Sequence, residues 1–228
     1  MFNDESLVIQ SPDELPAQLL LLFHGVGTDA RDLVPLGEHL AAEFPQAMIV
    51  SVIGSDPADL GNGRQWFSIR DVTEDNRPAR VAAALPAFVG AVRHWQELSG
   101  VGPAGTALIG FSQGAIMALE ATHATDDGQG PLAGRVIAIA GRFARLPERA
   151  SPLLTIHFLH GKADPVIPYR HTVAAAEHLL DLGGDLTADV LPFVGHEITP
   201  EVLDLLVTRL KTYVPKRIWD EAMRAGNA

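Results

Sequence analysis

Several short runs in this chain, such as "LLLLF" at 19–23 and "ALIG" at 107–110, are apolar at every position. A strand with no polar side must be covered on both faces, which is the situation of a parallel strand between layers of crossover helices. That requirement narrows the fold more than any other feature. Strands are expected near 6–10, 17–24, 47–53, 106–111, 135–140, 153–159 and 186–191, with helices near 32–44, 77–98, 113–124, 169–182 and 200–213. The alternation predicts an α/β fold, a mostly parallel sheet of about seven strands with right-handed crossovers. At 228 residues one such domain accounts for the chain.

Three segments stand apart from the alternation. The short break at Ser11–Pro16 reads as a hairpin that leaves the first strand at an edge. Residues 54–76 form a long Gly- and Asp-rich connection carrying Trp66 and Phe67, and loops of that length are usually functional or mobile. The last segment, 215–228, is expected as a short helix with Ile218, Trp219, Ala222 and Met223 on one face, packed back on the body or used in a homodimer. The preceding residues, 1–214, make up the domain. Asp32 is expected to open the first helix, and Thr199 to cap the last long one ahead of Pro200.

Charge excludes several function classes. Seventeen basic residues against 28 acidic ones leave a net of −11, which repels nucleic acid and anionic membranes. Asp4 and Glu5 stand where a signal peptide has positive charge, and "LLLLF" is far too short to span a bilayer, so a cytoplasmic protein is expected. There is no cysteine, hence no disulfide, thiolate metal site or cysteine nucleophile.

The chemistry concentrates at "GFSQG", 110–114, where a buried strand pattern runs directly into a helix pattern. Such a corner strains its central residue, and glycines two positions away on either side relieve the crowding. A serine there is lifted to the end of the sheet beside the positive end of the next helix. A serine nucleophile needs a base, and the base needs an orienting acid. Asp164 in "HGKADPVIP" and His196 in "GHEI" follow the next strand ends in the order Ser, acid, His and on the same rim. His157 and His160 fall on opposite faces of one strand, His171 and His178 on a helix, and Asp185 and Asp189 flank the last strand away from its turn. The backbone N–H of Gln113 is one expected oxyanion donor and that of Val26, in "HGVGTD", the other. His24 is expected to hold that loop by hydrogen bonds. "GVGTDA" also matches a dinucleotide fingerprint, but Asp29 and Asp32 put negative charge where a pyrophosphate would sit.

In order, "HGVGTD", "GFSQGA", "HGKADPVIP" and "GHEI", with "GRQWFSI" and "EDNRPARV" between the first two, resemble the phospholipase/carboxylesterase branch of the α/β-hydrolases, which includes acyl-protein thioesterases and small bacterial esterases. The resemblance spans about residues 17–213. It implies an α/β-hydrolase fold and a serine esterase or thioesterase with no cofactor and no metal, whose nucleophile, acid and base fall on Ser112, Asp164 and His196. The oxyanion donors fall on Val26 and Gln113. This chain departs from the family in reading Gly-Val-Gly-Thr-Asp where members often have Gly-Leu-Gly-Asp, and its tail after Val214 has no family counterpart.

About a dozen residues, 141–152, separate the expected strands at 135–140 and 153–159, too few for a cap domain. The expected site is therefore open, lined in part by Trp66 and Phe67, and takes a small-molecule ester or an acyl thioester. Protein or carrier thioesters and lysophospholipids remain alternatives, the last disfavoured by the acidic surface. A catalytically silent hydrolase used as a binding module, through the Trp219 tail, is the alternative of a different class. An intact Ser, Asp and His set argues against it.

Overall fold

The structure, a computed structural model, describes residues 5–122 and 131–226. In chain order the elements are β1 (Leu7–Gln10), β2 (Gln18–Phe23), a 3-10 turn (Ala30–Leu33) leading into α1 (Val34–Glu43), β3 (Ala47–Val52), the ribbon β4 (Asp56–Pro57) and β5 (Arg64–Gln65), and α2 (Arg77–Ser99). They continue with β6 (Thr106–Phe111), α3 (Gln113–Glu120), β7 (Arg135–Ile139), β8 (Thr155–Gly161), α4 (Arg170–Asp181), β9 (Asp185–Leu191), α5 (Pro200–Thr212) and α6 (Lys216–Gly226). The expected end of the third helix at 124 lies outside the described residues. Seven strands form one sheet in the order β1-β3-β2-β6-β7-β8-β9, with β1 antiparallel and the rest parallel. No cap domain interrupts β7 and β8.

Alternation along each strand builds a separate core on each face. Leu19, Leu21 and Phe23 face α2, α3 and α4 together with Phe88, Met117 and Leu179. Leu20 and Leu22 point the other way, toward Leu36 and Leu40 of α1 and Val202 and Leu206 of α5. Each such fully buried aliphatic side chain contributes about 1.5–3 kcal/mol over leaving it in water.

Two starts differ from expectation. β1 is an edge strand, but it is not one arm of a hairpin with β2. Both flanks of β2 are taken, Leu20 lying opposite Ile49 of β3 and Ala107 of β6. β1 is left with the open side of β3, where Leu7 pairs with Ser51. The connection at 11–16 is thus a crossover to the strand beyond, and Gln10 Nε2 secures its start by donating to the carbonyls of Phe44 (2.9 Å) and Ala47 (2.8 Å). The first helix is capped by Asp29 rather than opened by Asp32. Asp29 Oδ1 accepts from Arg31 N (2.7 Å) while Asp32 Oδ2 accepts from Asp29 N (2.8 Å), a reciprocal box. At α5, Thr199 caps as expected, its hydroxyl accepting from Val202 N.

The connection at 54–76 is closely tied down. Asp59 Oδ2 accepts from Ser68 Oγ (2.7 Å), Ile69 N (2.7 Å) and Arg70 N (3.0 Å). The Ser68 hydroxyl, with the other donors, pulls this carboxyl down to about 2. Farther along, Glu74 takes both guanidinium nitrogens of Arg142, at 3.1 and 2.7 Å, fastening the loop to the segment after β7.

The tail does form a helix, but α6 does not pack back on the body. Ile218, Trp219 and Met223 are 41%, 60% and 66% exposed. α4 and α5 cover the two faces of this end of the sheet, with Leu179 in one core and Leu206 in the other. What is anchored is its beginning. Buried Asp185 accepts from Thr155 Oγ1 (2.7 Å), Tyr213 Oη (2.5 Å) and Lys216 N (3.0 Å), while Arg135 donates to the carbonyls of Arg209 (3.1 Å) and Tyr213 (2.9 Å). Deleting residues 217–228 should leave Tm within about 2 °C, because little apolar area is lost. Asp185→Ala should lower it by about 5 °C or more, since three donors lose their acceptor. Thermal melts of the two variants separate these outcomes.

Candidate active site

β6 hands the chain to α3 through one residue. Ser112 sits there at φ 53° and ψ −115°, a strained conformation costing about 1–3 kcal/mol. Hydrogen bonds hold it: Ser112 N donates to Ile139 O of β7 (3.0 Å), and Ser112 O accepts from Ile116 N (3.1 Å). The flanking glycines are required by proximity. A Cβ on Gly110 would lie 2.5 Å from Ala115 N, and one on Gly114 would lie 2.2 Å from Phe23 O. α3 therefore rests backbone-to-backbone on the ends of β6 and β2.

The other two candidates arrive from loops after β8 and β9. His196 Nε2 is 2.8 Å from Ser112 Oγ, and His196 Nδ1 is 2.7 Å from Asp164 Oδ2. A carboxylate accepts, so the ring's proton is on Nδ1 and its free Nε2 lone pair faces the serine hydroxyl. Asp164 Oδ1 accepts from Val166 N (2.8 Å) and Ile167 N (2.9 Å), the backbone of its own turn. Burial alone would raise this carboxyl, but the bonds from His196, Ile167 and Val166 outweigh it and hold the group below its ordinary value. The Phe111 ring, 5.0 Å from that of His196, closes one side.

The two expected oxyanion donors lie beside the serine. A Cβ on Gly25 would come within 3.3 Å of Ser112 Cβ, so the loop holding Val26 runs against that serine. Among the described residues, the N–H groups of Val26 and Gln113 have no protein acceptor. His24 fixes this loop, as the sequence suggested. Gly54 N donates to His24 Nε2 (2.9 Å), which places the ring proton on Nδ1, facing Gly25 O at 2.7 Å. Burial keeps this imidazole neutral by pushing its pKa down.

Trp66 and Phe67 take a different place from the one expected. Both are buried in the core under the site, at 3% and 5% exposure, and neither offers a surface to substrate. The Trp66 ring packs edge-on against both Phe23 and Phe88 while its Nε1 donates to His24 O (2.9 Å). Their backbone is gripped by a side chain that sequence reading assigned no side-chain role. Gln113 Oε1 accepts from Trp66 N (2.7 Å), and Gln113 Nε2 donates to Phe67 O (2.7 Å). The signal was available: a polar residue in an otherwise apolar helix, "QGAIMAL", needs partners for both ends of its amide.

A model of the phospholipase/carboxylesterase family matches residues 4–214. The chain belongs to that family. It is 49% identical over 222 residues to esterase YpfH of Escherichia coli strain K12, covering 97% of this chain and 94% of that one. Acyl-protein thioesterase 1 of Gibberella zeae is 32% identical over 127 residues, 54% of each chain. Among solved structures, esterase PE8 superposes with a TM-score of 0.81 at 27% identity, covering 93% of this chain and 99% of that one. The Bacillus cereus carboxylesterase, at 19% identity and a TM-score of 0.71, shares the fold.

In this carboxylesterase-family chain the remaining histidines and acids mostly serve the scaffold. Asp189 binds Arg209 through both oxygens (2.6 and 2.9 Å), and His178 faces the Pro147 carbonyl (2.6 Å). His157 contacts Thr187 Oγ1 (2.9 Å) on the sheet's other side from His160. Burial, then Arg135 and Arg209, push His157 down to about 4. The unfolded chain therefore takes up this proton first as pH falls below 6.5, so stability is present above that value and lost toward about 4. His157→Gln should flatten the decline in urea midpoint between pH 7 and pH 4.5, by up to about 3 kcal/mol. Gln113→Ala, which orphans a buried N–H and a buried C=O, should cost about 2–4 kcal/mol in the same assay at pH 7.

Proposed function

We propose that this esterase cleaves carboxylic esters, and thioesters, by acyl transfer through Ser112. The chain is an esterase of the α/β-hydrolase superfamily by its family membership. The observation that carries the proposed machinery is the unbroken chain of contacts from Ser112 Oγ through His196 to Asp164, at 2.8 and 2.7 Å.

In this reading His196 Nε2 takes the hydroxyl proton as Ser112 Oγ attacks the acyl carbonyl, while Asp164 fixes the ring's tautomer and stabilises the imidazolium. The N–H groups of Gln113 and Val26 receive the developing oxyanion, each worth about 3–4 kcal/mol in the transition state. His196 then returns the proton to the departing alcohol or thiol. Water, activated by the same nitrogen, frees the acid from the acyl-enzyme. The strained serine backbone supports this role, because it fixes the oxygen ahead of the first turn of α3, where the helix presents unpaired N–H groups. With no cap over the rim, short esters and acyl groups carried on larger molecules both fit the reading.

The test is hydrolysis of p-nitrophenyl esters from acetate to octanoate, beside matched acyl thioesters, with fluorophosphonate labelling read by mass spectrometry. Wild type should show a burst and carry the label on Ser112. Ser112→Ala should lose both, and Asp164→Asn should lose about 10³–10⁴ in kcat. Label elsewhere, or equal turnover by Ser112→Ala, would sink the assignment.

A further inference from the structure

The acid of the site has a second imidazole beside it. His160 lies at the end of β8 with its side chain fully buried, and its Nε2 is 3.3 Å from Asp164 Oδ2, the oxygen that His196 uses. The same nitrogen is 2.7 Å from Ile167 O, and Nδ1 is 2.7 Å from Thr172 Oγ1 in the first turn of α4. A carbonyl only accepts, so Nε2 carries the ring proton. Burial pushes the ring's pKa down and keeps it neutral, which leaves Nδ1 to accept from the Thr172 hydroxyl. Both nitrogens are thereby committed, and the ring's rotation is fixed.

What the ring grips is the turn that aims the acid. Ile167 donates its N–H to Asp164 Oδ1 and gives its carbonyl to His160. Nε2 is also 3.3 Å from Asp164 Oδ2, so the ring stands beside the oxygen that His196 uses. Both carboxylate oxygens are thus set by one assembly that runs from α4 through Thr172, His160 and the 164–167 turn to His196. Asp164 and His196 are the titratable groups whose charge acts on His160; α4 presents the uncharged Thr172.

We propose that His160, locked by Thr172, is a positioning residue that keeps Asp164 directed at His196 Nδ1. It acts on the reaction only through the acid, and the proposal rests on the triad reading given above. A well-aimed Asp164 stabilises the imidazolium of His196. Loosening that aim makes the imidazolium less stable, so the acid limb of kcat/KM moves to lower pH.

The test compares His160→Leu, His160→Gln, Thr172→Val and Thr172→Ser in the full chain, by pH–rate profile and by the far-downfield proton resonance of His196 Nδ1–H. His160→Leu should lower kcat about tenfold or more with KM within about twofold. Its acid limb should fall by about half a pH unit, with the resonance broadened or lost. His160→Gln, whose amide can still donate to Ile167 O, should recover most of the rate. Thr172→Val should shift the limb in the same direction and Thr172→Ser should restore it. If His160→Leu does not fold, Thr172→Val decides: a lowered limb supports the proposal, and an unmoved one overturns it. A folded His160→Leu with a wild-type limb and resonance would reduce His160 to a core histidine. An upward limb would show that it acts by charge alone, which also overturns positioning. A wild type with neither label on Ser112 nor a downfield resonance would overturn the triad reading, and this proposal with it.

Discussion

The close seating of α3 on the ends of β6 and β2 is the contact on which the rest of the site depends. A helix can begin one residue after a buried strand only if its first turn puts no side chain against the neighbouring backbone. Gly110 and Gly114 meet that condition where any Cβ would fall within 2.5 Å of main-chain atoms. From this seat follow the strained φ at Ser112 and the approach of the 24–27 loop to it. Gln113 then lies where both ends of its amide can hold the long connection by Trp66 and Phe67. Loss of that seating would shift the serine, both candidate donors and the floor beneath them together.

Much of this was legible because it is short-range. A strand apolar on both sides, a glycine-flanked corner and loops at successive strand ends are local patterns, and they point to Ser112, Asp164 and His196, three side chains that the fold brings into hydrogen-bond contact. What was not legible depends on partners distant in sequence. Whether β1 pairs with β2 or β3 is settled by which flank of β2 is free, and β6, some 85 residues later, takes one of them. Trp66 looks like a loop aromatic until Phe23 and Phe88 are seen packed against it. The apolar face of α6 implied packing on the body, but Ile218, Trp219 and Met223 are left exposed. His160 was passed over because it falls on the opposite strand face from His157. That argument says nothing of its spacing to Asp164, which exists only once the 164–167 turn has closed.

Polar groups under the rim are few and fully occupied. His24 bridges two loops through both nitrogens, His160 does the same between β8 and α4, and no buried side-chain polar atom among the described residues lacks a partner. In a low-dielectric floor, an unpaired group of this kind would cost about as much as several good contacts contribute. Full pairing is what lets neutral imidazoles stand next to a carboxylate without drifting. The rigidity of the site thus comes from satisfied hydrogen bonding, and the apolar core beneath supplies cohesion.

The three residues of the proposed triad leave the sheet from β6, β8 and β9, and β7 between them sends none. Its carboxyl end still matters, since Ile139 O holds Ser112 N and Arg142 meets Glu74, but both ties lie in the first few residues. The stretch from Leu146 to Ala150 beyond them makes no direct contact with Ser112, His196 or Asp164, its carbonyl at Pro147 meeting His178 of α4 instead. A family built on this sheet can therefore lengthen that one connection into a lid, a docking arm or a further domain while its chemistry stays in register. The silent strand is the port through which such a scaffold diversifies.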